Sequence, residues 1–296
     1  VTLDIAMPFY GRVDHFKRAV ESVRNQSDGD WRLIVIDDLY PDESAGTWLT
    51  SLGDSRIEYH RNAVNLGVSG NFNSCVDHLR NEFAVIFGCD DLMLPNYVSR
   101  VKELQALYPQ SDLIQPGVSV IDENSVPAWP LSDRIKAMLR PVGVRPSLYA
   151  GEPLAASLLR GNWCYFPSLA WRSSRLAQFR FREDRHVVQD LSLILQIVFD
   201  GGSLVLDDET VFAYRRHSGS VSSMGGVDGS KFAEERDVFY EAAVECDSLH
   251  WTKAARIART HATSRLNAIS EIPGALHSRN ARSAKSLLRH AFGGWN

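Results

Sequence analysis

The 296-residue chain has few of the features that mark specialised protein classes. Its four cysteines, Cys75, Cys89, Cys164 and Cys246, lie far apart with no CxxC pair. That excludes a disulfide scaffold and a paired-cysteine zinc site, and it implies reduced thiols in a cytoplasmic protein. The longest near-apolar run, Leu191–Phe199, is far too short to cross a bilayer, which needs about 20 residues. No signal-type segment is visible. The chain begins at Val1 without a methionine, so trimming of an N-terminal extension is expected. Compositional bias, internal repeats and low-complexity runs are also missing, which excludes disordered and fibrous classes. With 44% hydrophobic residues there is ample apolar material for a core. A soluble, enzyme-sized chain is expected.

The balance of 32 Lys+Arg against 36 Asp+Glu gives a net charge of −4 and hides an asymmetry. From Ser248 onward, eight bases stand against the single acid Glu271, so this tail carries +7 and the preceding residues −11. An acidic body with a basic tail implies different partners for each, or docking of one on the other.

The first 120 residues alternate strand and helix signals. Strands are expected at Leu3–Met7, Trp31–Ile36, Ile57–Arg61 and Phe83–Phe87, with helices over 14–25, 69–79 and 96–108. Such alternation calls for parallel pairing and an open, doubly wound α/β sheet. The middle, from about 125 to 226, is less regular. Helices are expected over 153–159 and 191–199, and short strands at Leu204–Leu206 and Val211–Tyr214. Beyond Gly226 the pattern is purely helical, over 231–247, 251–269 and 281–292.

Ligands of open α/β sheets bind outside the carboxyl ends of the strands. Two acidic pairs, Asp37-Asp38 and Asp90-Asp91, project from that edge. Like charges so close need a neutralising partner, and a hard divalent ion, Mg²⁺ or Mn²⁺, suits them and favours a diphosphate substrate. The plainer alternative is that these acids cap turns and helices.

Taken together, 33–44 (LIVIDDLYPDES), 65–73 (NLGVSGNFN), 87–97 (FGCDDLMLPNY), 188–193 (VQDLSL) and 214–222 (YRRHSGSVS) resemble the family 2 glycosyltransferases. The resemblance covers about residues 1–225. It implies a GT-A fold with a C-terminal helical extension, in which 1–124 binds a nucleotide-sugar donor, 125–226 binds the acceptor and 227–296 forms the helical tail. It also implies sugar transfer with inversion from a nucleoside diphosphate, uridine being preferred, to a glycan or lipid-linked acceptor, with Mn²⁺ or Mg²⁺ as cofactor. Pro8 and Tyr10 match the loop bordering the base, and Asp37 or Asp38 the carboxylate that contacts base or ribose. Asn65, Gly67 and Asn71 match the segment under the donor. Asp90 and Asp91 match the end of the DxD-type metal motif, whose first acid is here Gly88. Phe72 stands where many relatives have an arginine, and Arg61 is the candidate to replace that charge.

Asp190 matches the general base, with Gln189 in place of the usual preceding Glu; the plain reading makes Asp190 a helix cap. Arg215, Arg216 and His217 match a loop that contacts the diphosphate or the metal, beside Gly219, Gly225 and Gly226. Asn162 and Trp163 match acceptor contacts, Trp163 as a stacking platform or as core. Trp129 and Trp171 are assigned to the core.

In 251–269 the apolar residues Ala254, Ala255, Ile257, Ala258, Ala262, Leu266 and Ile269 recur at helical spacing among bases. Such a helix suits peripheral contact with the inner face of a membrane; alternatively its stripe packs on the body or in a homodimer. Nucleic acid is not expected as a partner. Two rivals to the transferase remain: a nucleotidyltransferase of related fold, and a sugar-nucleotide-binding pseudoenzyme, which the replacements Gly88 and Gln189 keep open.

Overall fold

The structure, a computed structural model, describes residues 2–217, 230–277 and 280–293. A nine-stranded sheet has the order β3-β2-β1-β4-β8-β6-β9-β5, with β7 also paired to β9. The strands are β1 (Leu3–Phe9), β2 (Trp31–Asp37), β3 (Ile57–Arg61), β4 (Phe83–Ile86), β5 (Leu92–Met93), β6 (Leu113–Ile121), β7 (Ser147–Ala150), β8 (Ala170–Arg172) and β9 (Ser203–Arg215). β3, β2, β1 and β4 run parallel, β8 enters antiparallel to both β4 and β6, and β9 is parallel to β6. The half from β1 to β4 is the parallel, doubly wound α/β arrangement that the alternating signals call for, whereas β5, β7 and β8 pair antiparallel and make the whole sheet mixed.

Side chains on successive strand residues point to opposite faces, and both faces here are apolar. Leu33 and Val35 of β2 enter one core with Phe16, Val20, Val98 and Val101, which come from helices α1 (Val13–Arg24) and α4 (Tyr97–Leu107). Leu49 of α2 (Ser44–Ser51) joins them. Ile34 and Ile36 of the same strand enter the other core, with Cys75 and Val76 of α3 (Gly67–Asp77). Leu154 and Leu158 of α6 (Gly151–Arg160) and Ile194 and Val198 of α8 (Gln189–Phe199) complete that face. Truncating one such residue to Ala costs about 2–5 kcal/mol.

Two further helices, α5 (Leu131–Leu139) and α7 (Ser173–Phe179), occupy the region whose sequence is irregular. The tail forms α9 (Ser230–Ser248), α10 (Thr252–Thr260), α11 (Ala262–His277) and α12 (Ala281–Phe292). α9 and α10 lay Val238, Phe239, Ala242, Ala254, Ala255 and Ala258 on the core that holds α6 and α8, so much of the expected tail stripe is covered by the body. Glu152 of α6 accepts the amides of Lys253 and Ala254 and so caps α10.

Several expectations are corrected. The helix expected over 251–269 breaks at His261, which is buried with φ +29, into α10 and α11. The two strands expected at 204–206 and 211–214 are one strand, β9, whose register against β6 shifts around Gly117. β1 continues through Pro8 to Phe9. Trp171 is core, but Trp129 is 58% exposed. Gly219, Gly225, Gly226 and the boundary at 226 lie outside the described residues. Among the described residues no helix is long and apolar enough to cross a membrane.

Candidate active site

The end of β2 delivers Asp37 and Asp38 to the sheet edge, both buried and fully engaged. Asp37 accepts from the amide of Tyr40 at 2.7 Å and the hydroxyl of Tyr59 at 2.6 Å. Asp38 accepts from the Asn62 side chain and from the amides of Leu66 and Gly67 at 2.8 and 2.9 Å. Gly67 opens α3 with φ +71, a left-handed conformation that favours glycine, and so brings its N–H onto Asp38. Both acids thus hold the 59–67 loop in shape.

Asn71 is buried as well, tied to Ile36 O at 3.2 Å and Asn62 at 3.1 Å. On the exposed side are Tyr10, edge-on to Tyr40 with ring centroids 5.2 Å apart, half-buried Pro8, and Asn65, whose side chain bonds Asp38 O and Gly67 N. Phe72, against Phe166 and Phe181, is part of an aromatic cluster, and Arg61 is engaged by Tyr40 O and Glu43.

Beyond β4, the two acids of the metal motif part company. Asp91 is 1% exposed; its Oδ1 accepts the amide of Arg215 at 2.7 Å, and its Oδ2 has no hydrogen-bond partner. Burial, and secondarily the charge of Asp90, push its carboxyl well above the usual carboxylate range. A Cβ on Gly88 would stand 2.5 Å from that Oδ2, so glycine here leaves room for the carboxylate. The expectation that Asp91 faces a ligand is corrected: it is sealed inside.

Asp90 is partly exposed and lies 2.6 Å from His217 Nε2. Arg215 is also corrected from its expected place on the diphosphate. It is buried, and its guanidinium bonds the carbonyls of Asp90, Asp122 and Glu123 and the Ser125 hydroxyl. Among the described residues no three His, Cys, Asp or Glu converge as a ready ligand set.

Asp190 stands in the first turn of α8, one residue inside the helix, which is not the cap position. It is partly buried and accepts from Asn162 Nδ2 at 2.9 Å. Desolvation raises its carboxyl above the ordinary range, and Lys136 opposes that shift. Lys136, which sequence reasoning missed, donates to Cys164 O at 2.6 Å; burial lowers its ammonium to about 8. One helical turn before it on α5, buried Asp133 takes a two-pronged bond from Arg216 at 3.0 and 3.1 Å and another from the Tyr165 hydroxyl. α5 therefore carries both the acid that holds Arg216 and a cation whose charge acts on Asp190. No sequence signal for this arrangement was available, because α5 reads as irregular.

Trp163, expected as a stacking platform, is corrected: it is 1% exposed, its Nε1 donates to Ser157, and no ring face is open. Sequence reasoning also missed Glu234 of α9, whose Oε2 accepts the amides of His186 and Val187 at 3.0 and 2.9 Å. It thereby fixes the entry to the helix that carries Asp190.

Acidic pairs at the strand ends and a partly buried carboxylate at a helix start suit group transfer, and comparison gives the class. The family model described as "Glycosyl transferase family 2" matches residues 4–168, more than half of the chain. The chain belongs to the family 2 glycosyltransferases.

This glycosyltransferase is 31% identical over 98 residues to WcaA of Escherichia coli, named for colanic acid biosynthesis; the match covers 33% of this chain and 35% of that relative. It is 21% identical over 216 residues to MJ1057 of Methanocaldococcus jannaschii, itself named a glycosyltransferase, covering 72% of this chain and 70% of the relative. Its fold matches S. aureus TarS in complex with UDP-GlcNAc, with TM-score 0.62, 12% identity and coverage of 98% of this chain and 90% of that one. It also matches the mannosyltransferase PcManGT of Pyrobaculum calidifontis in complex with GDP-Man and Mn²⁺, with TM-score 0.62, 13% identity and coverage of 98% and 85%. The GT-A fold follows.

Proposed function

We propose that this glycosyltransferase moves a sugar, with inversion, from a nucleoside-diphosphate donor to a hydroxyl of a glycan or lipid-linked glycan. The observation that carries the reading is Asp190, a carboxylate on the first turn of a helix, oriented by Asn162 and raised by burial above the ordinary carboxylate range. A base so placed accepts the acceptor hydroxyl's proton as the sugar is attacked from the face opposite the diphosphate. The charge of Lys136 favours the ionised carboxylate against the effect of burial.

The donor half is 1–124, the acceptor half 125–226 and the helical extension 227–296. The nucleobase, with uridine preferred, lies against Pro8 and the Tyr10–Tyr40 edge. Asn65 and Gly67 lie under the donor, and Asp37, Asp38 and Asn71 act by holding that floor. A divalent cation fits the far end, where the partly exposed carboxylate of Asp90 and the imidazole of His217 meet at 2.6 Å and offer it an oxygen and a nitrogen ligand. Asp90 and His217 are the residues that would hold Mn²⁺ or Mg²⁺, Asp91 and Arg215 positioning them from behind. Such an ion, when bound, stabilises the charge of the leaving diphosphate as a Lewis acid.

Titration calorimetry with UDP, GDP and dTDP, each with Mn²⁺ and with EDTA, tests this reading. Metal-dependent binding of one nucleotide that is weakened by Asp90→Asn supports it. Binding indifferent to metal removes the cation's role, and binding of none of the three overturns the transferase reading.

A further inference from the structure

Helix α5 is built the wrong way round for a surface helix. Asp133, Lys136 and, just beyond it, Arg140 face inward, toward Arg216, Cys164 and Asp207. Leu131, Ile135, Met138 and Val142 fall on the opposite side and are exposed, Met138 by 82% and Val142 by 97%. A stripe of this kind on a polar-backed helix marks an interaction surface.

A second stripe adjoins it. On α11 the exposed residues Leu266, Ile269 and Leu276 share one face, while Ala268 and Ala275 pack inward with Phe232 of α9. The two helices that bear these stripes approach each other at Gly161. A Cβ there would lie 2.5 Å from Leu139 of α5 and 3.8 Å from Thr263 of α11, and the Thr263 hydroxyl bonds Arg160 O.

Charge is what selects the partner. α12 packs beside α11, Arg265 reaching the carbonyls of Ala291 and Gly293, and it exposes Leu288 and Phe292 in a row with Arg282, Lys285 and Arg289. None of these bases has an acidic partner among the described residues, and Arg134 and Arg160 stand exposed beside the first stripe. The only acid beyond residue 248 is Glu271. Apolar side chains set among unpaired bases match an anionic lipid surface, where burial of the apolar groups and attraction of each base add together.

We infer that the exposed apolar residues of α5, α11 and α12, with the bases among them, dock on an anionic membrane surface. Because the inner side of α5 holds Lys136 beside Asp190, docking there brings Asp190 close to the lipid plane, where a lipid-linked acceptor presents its hydroxyl. The docking itself does not depend on the transferase chemistry, and its test reads no turnover.

The test is flotation of the purified chain with vesicles of phosphatidylcholine alone or mixed with phosphatidylglycerol. The expected result is a partition stronger by roughly tenfold or more on the anionic vesicles, released by salt. Met138→Glu with Val142→Glu, and separately Lys285→Glu with Arg289→Glu, should each remove most of that gain. All four positions are exposed, and a circular-dichroism melt checks that the variants fold. Equal partition on both vesicles, or variants that float like the parent, overturns the proposal. So does light scattering that shows a dimer which Met138→Glu with Val142→Glu converts to monomer, since a second copy would then cover the face.

Discussion

The charge of Lys136 acts on Asp190 through space, against the effect of burial. Desolvation lifts the Asp190 carboxyl and the Lys136 charge holds it down, so removing that charge must lift it further. In Lys136→Met the acid limb of the kcat/KM profile is therefore expected to move to higher pH. Asp190→Asn should lower kcat by about 10²–10⁴ while leaving nucleotide affinity unchanged in calorimetry, as loss of a proton acceptor requires. At the other end of the site, Gly88→Ala tests the fit around Asp91. With a Cβ 2.5 Å from a buried, short-tethered carboxylate oxygen, the variant is expected to lose about 1–3 kcal/mol in denaturant unfolding.

Helix α8 depends on a side chain from the tail. Glu234 takes two backbone amides just before the helix, so Glu234→Ala should cost about 1 kcal/mol in stability. It should also reduce kcat more than KM, because it frees the turn that carries Asp190; a change confined to stability would deny it that role. Which of these elements were readable in advance follows from where their apolar residues point. β1, β2 and β4 were legible because both faces of each are buried and the strands read as continuous apolar runs. α5 was not, since its polar residues carry the site and its apolar ones face outward. β9 was read as two strands because Asp208, Glu209 and Thr210 resemble a turn, yet they sit exposed within one continuous strand. The acidic pairs are legible from their place at strand ends. What was not found is which of them face inward, because that depends on amides contributed from far along the chain, such as Leu66 on Asp38 and Arg215 on Asp91.

The molecule has a third small core in the tail, and it is sensitive to acid. His290 is buried there against His261 and Phe232, with its Nε2 on the Ser264 hydroxyl, which in turn meets Glu235. Burial, joined by the charges of His261, Arg236 and Arg265, lowers the His290 imidazole to about 4. The unfolded chain takes up that proton near pH 6.5, so the stability is full above that value and is lost as pH falls toward 4. At pH 5 the loss is about 2 kcal/mol. Hydrogen exchange at pH 5 is expected to show α11 and α12 opening before the central sheet, and His290→Phe should remove the difference from pH 7.

The pairing of β5 with β9 joins Leu92 to Ala213, and the Arg215 amide closes on Asp91 across 124 positions of sequence. During synthesis, β1 to β4 are complete long before that partner leaves the ribosome. A nascent chain halted short of Arg215 would hold Asp91 without the amide that receives it in the finished protein. Maturation of the catalytic edge is therefore a late event, gated by translation of the last strand, and slow closure of so distant a contact prolongs the interval in which a chaperone can act on the chain.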